Sequence, residues 1–196
     1  MASADPKAIL HEYLRGVREA LLWKLDGLSE YDIRRPLTPT GTNLLGLVKH
    51  LSMVESWYFG KTFDRPFPEH LPWWDDDAPI NADSWATEHE TRQEIVERYR
   101  RVAAHADATI DDLALDSPGH VSWWPRPEVT LHTMLVHVLA ETNRHAGHAD
   151  ILREHLDGQA GMNPDFTNLP EQDPKWWEDY RARIEQAARK AATAAP

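Results

Sequence analysis

Apolar residues at steps of three and four recur in four long runs of this sequence, and that rhythm leaves little choice of fold. Leu10, Leu14, Val17, Leu21, Leu25 and Leu28 form the first run, opened by Asp5 as N-cap and Pro6 at the first helical position. After the breakers in RRPLTPTGTN, Leu44, Leu47, Val48, Leu51, Val54 and Tyr58 form the second, expected to reach about Thr62. Ile95, Val96, Tyr99, Val102, Ala103, Ala106, Ile110 and Leu113 form the third, with a start expected near Asp83 or Ser84. Leu131, Met134, Leu135, Val138 and Leu152 mark a fourth, from Thr130 to Gly158. A period of about 3.6 residues gathers each set on one helix face. No alternating segment of useful length competes as a strand, and the sequence has no glycine-rich phosphate loop, G-x-S-x-G elbow or internal repeat. The expected fold is all-α: a four-helix bundle over residues 1–160, with a 161–196 extension whose short helix starts at Asp173 and Pro174.

At 196 residues the chain suits one domain with a full core. Its net charge of -11 repels phosphate backbones and anionic membranes, so neither nucleic acid nor membrane is an expected partner. No run approaches the roughly 20 apolar residues of a membrane span, and MASADPKAIL lacks the regions of a signal peptide; a cytoplasmic protein is expected. With no cysteine, thiolate metal sites and a cysteine nucleophile are excluded, so any thiol must come from outside.

Positions 134, 138, 141, 145, 148 and 152 follow one another by four and three, which predicts Glu141, His145 and His148 on the same stripe as Met134, Val138 and Leu152. A buried carboxylate needs a cation, a donor or a metal. Glu141 and His145, at i and i+4, can aim two ligand atoms at one ion; a hydrogen-bonded pair or a surface pair is the competing reading. His50, in NLLGLVKHL, is the candidate third ligand. Two imidazoles and a carboxylate suit Zn2+ with an open coordination position, with Ni2+, Fe2+ and Mn2+ as alternatives. His148 is open between ligand, proton-transfer group and carbonyl-bonded side chain. His137 reads as a core-edge residue, and Asp150 with Arg153 as a surface ion pair. His11, His70, His89, His105, His120, His132 and His155 read as surface or loop residues. The prolines from Phe63 to Asn81 mark a long loop that can form a wall or lid. Trp57, on the face of His50, is the candidate pocket-lining residue, and the pairs Trp73-Trp74, Trp123-Trp124 and Trp176-Trp177 divide between packing and pocket walls.

The stretches PTGTNLLGLVKHL and ETNRHAGHADILRE resemble the DinB-like superfamily of metal-binding four-helix bundles, particularly its actinobacterial branch, over about residues 5–160. Its members carry a histidine on the second helix and an H-x-x-x-H or E-x-x-x-H pair on the fourth, the latter also in the related mycothiol-dependent maleylpyruvate isomerase. The resemblance implies His50, Glu141 and His145 as ligands of a divalent metal, with His148 outside the triad. Glu141 stands where many members have histidine, so their metal preference does not transfer directly. The resemblance further implies chemistry in which a low-molecular-weight thiol, mycothiol or bacillithiol, is attached to a small electrophile or assists an isomerisation. A metal-bound thiol is deprotonated at neutral pH, which makes it a nucleophile. The expected function is therefore a metal-dependent thiol S-transferase or thiol-dependent isomerase, with a small electrophile and a thiol as partners and a homodimer as a possible assembly. The alternatives are a metal-dependent hydrolase and a non-enzymatic metal- or small-molecule-binding stress protein.

Overall fold

The computed structural model describes residues 5–75 and 77–194. Four long helices are present: α1 (Pro6–Trp23), α3 (Leu44–Tyr58), α4 (Arg92–Asp112) and α5 (Leu131–Asp157), with a single turn and a half of helix, α2 (Glu30–Arg34), between the first two. Helix α3 packs on α4 and α5, and α1 packs on α5 and α4, so the four close into a ring around the core. Two three-residue strands, β1 (Pro118–His120) and β2 (Glu128–Thr130), pair antiparallel ahead of α5. They are too short for an alternating pattern to announce them.

Each boundary has a local cause. Asp5, Asn43 and Thr130 accept backbone N–H bonds at the starts of α1, α3 and α5, and Gly158, at φ 79°, ends α5 in the left-handed conformation. The third long helix starts at Arg92, later than expected near Asp83 or Ser84, because Thr91 and Glu94 form a reciprocal capping box. The second stops at Tyr58 and not at Thr62: a Cβ on Gly60 would lie 2.1 Å from the Ser56 carbonyl oxygen, and the chain there turns into a 3-10 segment. The last helix, α6 (Pro174–Ala194), has 21 residues and is not short. Alanine, arginine, glutamate and lysine favour helix, and the i,i+4 pairs Lys175–Asp179 and Glu185–Arg189 add support. Its Tyr180 ring stacks on Trp176.

The core holds leucine, valine and isoleucine from all four helices, crossed by one polar network. Arg18 of α1 donates from Nε and Nη2 to both oxygens of Glu55 of α3, at 3.0 and 2.5 Å, while Tyr99 of α4 donates to Oε1 of the same carboxylate at 3.1 Å. Arg18 also reaches Asp107 of α4 at 2.6 Å, where His11 lies 2.8 Å from the same oxygen. Burial works against the Arg18 charge, but the Glu55 carboxylate outweighs it and raises the pKa. Asp107 is likewise disfavoured by burial, yet Arg18 and His11 hold its carboxyl below the usual range.

Three surface assignments change. His11 is buried in this network, and the half-buried His105 sits 2.8 Å from the Arg65 carbonyl oxygen. Arg153 is buried rather than paired at the surface with Asp150: it donates to the Lys24 and Asp26 carbonyls at 2.9 and 2.8 Å and pairs with Asp157. Free carbonyls at the C-terminal end of α1 need donors, and a guanidinium on the facing helix supplies them. Asp150 instead meets the buried Lys24 at 2.6 Å. Among the described residues, no helix is long and apolar enough to cross a membrane.

Two outcomes follow from the network. Arg18→Met leaves Glu55 buried without its cation and should cost about 3–5 kcal/mol, read as a lower urea midpoint. Asp107 has a depressed pKa, so its contribution is present in full above the unfolded carboxylate value, about 3.9, and is lost as pH falls through the folded value. The stability gap between wild type and Asp107→Asn should be about 1.5–3 kcal/mol at pH 7 and should close below pH 4 in urea titrations.

Candidate functional site

The buried line of α5 runs through Val138, Thr142, Ala146, Ala149 and Arg153, with Leu152 beside it. Glu141, His145 and His148 therefore do not interrupt the core stripe as expected; they stand on its flank, toward α3. Thr142, Ala146 and Ala149 are small, so neighbouring helices approach closely over them, and Thr142 satisfies its hydroxyl on the Val138 carbonyl at 2.7 Å. The side chains of Glu141 and His145 are 33% and 17% exposed, and His148 is exposed. This gradient leaves Glu141 and His145 reachable from solvent without stranding a charge in the core.

His50 projects from α3 to the same place. Its ring packs edge-on against His145 with centroids 4.9 Å apart, and His145 in turn against His148 at 5.5 Å. His145 Nε2 lies 3.6 Å from Glu141 Oε2. The structure thus brings the four predicted polar side chains into one cluster, in which His50, His145 and Glu141 come from two helices.

The sequence reading missed Asp83. Its Oδ2 lies 2.6 Å from His50 Nδ1, and because a carboxylate only accepts, Nδ1–H is the donor. That bond from His50 holds the Asp83 carboxyl below its usual range, against the effect of burial. A glycine makes the approach feasible: a Cβ at Gly46 would lie 2.0 Å from the Ser84 carbonyl oxygen, so the 81–85 segment lies directly on α3. Lys49 secures the same segment by donating to the Trp85 carbonyl and pairing with Glu90, both at 2.9 Å. Farther along the loop, the Trp73 ring sits between Lys49 Nζ at 4.8 Å and the Arg98 guanidinium at 5.0 Å. The end of the proline-rich loop, Ile80 and Asn81, forms a wall of the site together with Ser84 and Trp85. Nothing in the sequence pointed to the role of Asp83, which lies outside any motif and reads there only as a possible helix start.

His145 has its pKa lowered to about 4, first by burial and then by the nearby His50, with Glu141 opposing. It is a neutral ring at pH 7, which suits a metal ligand in kind; its buried Nδ1, on the side away from Glu141, has no hydrogen-bond partner among the described residues. The 3.6 Å between His145 Nε2 and Glu141 Oε2 is near the roughly 3.4 Å that two ligands about 2.1 Å from a tetrahedral ion would span. Among the described residues, however, no group of three His, Asp or Glu side chains is gathered closely enough to hold an ion.

A cavity of about 610 Å³ opens from the cluster, lined by His50, His145 and His148 on one side. Thr40, Thr42, Asn43, Asn81, Ser84 and Trp85 supply hydroxyls, amides and one indole on the other. Trp57 does not line this cavity; it borders a neighbouring one of about 220 Å³ with Lys61, Leu71 and Trp74.

Comparison with known proteins adds identity to this geometry. None of the curated proteins matches the sequence. The crystal structure of a conserved protein from Enterococcus faecalis is similar at a TM-score of 0.57 and 16% identity, covering 80% of this chain and 100% of that one, which supports the bundle fold. A family model described as Mycothiol-S-transferase matches residues 9–158, the four long helices and their connections, in keeping with the DinB-like resemblance. The chain belongs to the mycothiol-S-transferase family.

Proposed function

We propose that this protein transfers a mycothiol-type thiol to a small electrophile at the His50, Glu141 and His145 cluster, with those three side chains holding a divalent metal, zinc by the chemistry of the donors. Such an ion, when bound, favours the thiolate form of an incoming thiol at neutral pH. The observation that carries the reading is the Asp83–His50 bond. A histidine whose Nδ1–H is committed to a carboxylate presents Nε2 in a fixed orientation, the arrangement found behind metal-ligating imidazoles.

The chain's own residues supply the remaining work. The cavity, which offers hydroxyls, amides and Arg34 beside the apolar Pro36, Leu47 and Ile80, admits the thiol and leaves its sulfur beside His50 and His145. His148, exposed at the rim and packed on His145, accepts the thiol proton and returns it to solvent. The sulfur then forms a bond to the electrophilic carbon, whose leaving group departs with the bonding pair. Thr40, Thr42, Asn81 and Ser84 orient the thiol's body, which converts an encounter of two solutes into reaction at one place.

Calorimetric titration of metal-free protein with Zn2+ should give about one site per chain. His50→Ala should abolish that site, and Asp83→Ala should weaken it by about 10–100-fold. Full zinc affinity in the His50 variant would refute the ligand assignment. Loaded protein should consume an electrophile only when mycothiol is present; an equal rate without thiol would make it a hydrolase.

A further inference from the structure

Two surfaces of unlike make-up flank the His50, Glu141 and His145 cluster. At one is the cavity lined by His50 and His145, with Thr40, Thr42, Asn81 and Ser84 among its polar groups. At the other, aromatic rings follow in unbroken contact: His137 lies edge-on to Tyr58 at 4.7 Å, Tyr58 is 6.2 Å from Trp123, Trp123 is edge-on to Trp57 at 4.7 Å, and Trp57 lies over Trp74 at 4.2 Å. Trp124 backs this row, 4.8 Å from His137 and 5.8 Å from Tyr58.

The row adjoins the reacting cluster. His137 stands one helical turn before Glu141 on α5, and Trp57 two turns after His50 on α3. The Glu141 charge acts on both Tyr58 and His137. Packing alone does not account for Trp123, which remains 52% exposed although it rests on two other rings. Its loop is held in shape by the bonds from Val121 N–H to the Pro127 carbonyl, 2.8 Å, and from Trp124 N–H to the Val121 carbonyl, 3.0 Å. An indole kept in place and half open, beside a chemical site, is a surface on which a flat ring can stack.

Resting on the transferase reading above, we propose that this aromatic wall is the electrophile subsite, and that the electrophile it takes has a flat aromatic body. The cavity beside His50 and His145 then receives the thiol, and the two reactants meet at the cluster. With 1-chloro-2,4-dinitrobenzene as probe, the thiol sulfur bonds to the ring carbon bearing chlorine, the carbon–chlorine bond breaks, chloride leaves with the electron pair and the thiol proton passes to solvent.

The test has a binding arm and a kinetic arm. In the first, the unreactive analogue 2,4-dinitroaniline is titrated into wild type, Trp123→Ala and Trp123→Phe, following quenching of tryptophan emission. Affinity should fall about tenfold in the alanine variant and largely return in the phenylalanine variant; equal affinity in wild type and Trp123→Ala overturns the proposal. In the second, kcat/KM for mycothiol conjugation is compared between chlorodinitrobenzene and iodoacetamide, which has no ring. The ratio should drop about tenfold in Trp123→Ala, and an unchanged ratio overturns the proposal. If wild type conjugates neither electrophile, the transferase reading fails, and the binding arm alone decides whether the wall holds aromatic compounds.

Discussion

The paired charges of Arg18 and Glu55 fix the rotation of α3, and with it the direction of every functional side chain on that helix. Both side chains are almost fully buried, and Tyr99 and Asp107 close the remaining valences from α4. An ion pair so deep adds little net stability over apolar packing, but it is intolerant of misalignment, because a carboxylate turned away from its guanidinium is left bare in the core. Glu55 and His50 are five residues apart, which at about 100° per residue places them roughly 140° apart around the helix axis. Locking Glu55 onto α1 and α4 therefore holds His50 toward α5, where Glu141 and His145 wait. A polar lock on one side of the helix orients the chemistry on the other.

The long loop before α4 depends on the same helix. Asn43, Gly46, Lys49 and His50 occupy successive turns of α3 or its cap, and each meets the 81–90 segment: the Asn43 amide and the space over Gly46 at Ser84, Lys49 at Trp85 and Glu90, His50 at Asp83. Residues that would otherwise form a loose connection thus become a wall. Asp83 contributes its carboxylate only because the backbone of Ser84 can touch α3 where Gly46 has no side chain. The helix orients the loop, and the loop orients the imidazole.

Much of this was legible in the sequence because periodicity is a strong signal over twenty residues. The four helices, the cap at Asp5 and the end at Gly158 follow from it, and so does the candidate pair on α5, whose i,i+4 spacing needs no tertiary information. The position of that pair relative to the core was misread for a physical reason. Thr142, Ala146 and Ala149 bury little area and score as indifferent, yet they form the true contact line, so the polar residues beside them were assigned to the stripe. Arg153 and His11 misled in the same way: each is buried because helix-end carbonyls or carboxylates from other elements meet it. No local pattern encodes such partners. Asp83 belongs to this class as well, because its value arises from a contact 33 residues away in sequence.

The missing thiol side chains acquire a meaning beside this arrangement. A protein that gathers an electrophile next to a nucleophilic sulfur raises the local concentration of both, and any cysteine of its own would compete for the same carbon. This chain contains none. Two of the nucleophiles near the cluster are restrained: His50 has Nδ1–H committed to Asp83, and the Tyr58 phenol is kept protonated by burial, with its pKa raised. In the proposed reaction, the sulfur that enters from outside therefore meets no competing thiol from the chain itself.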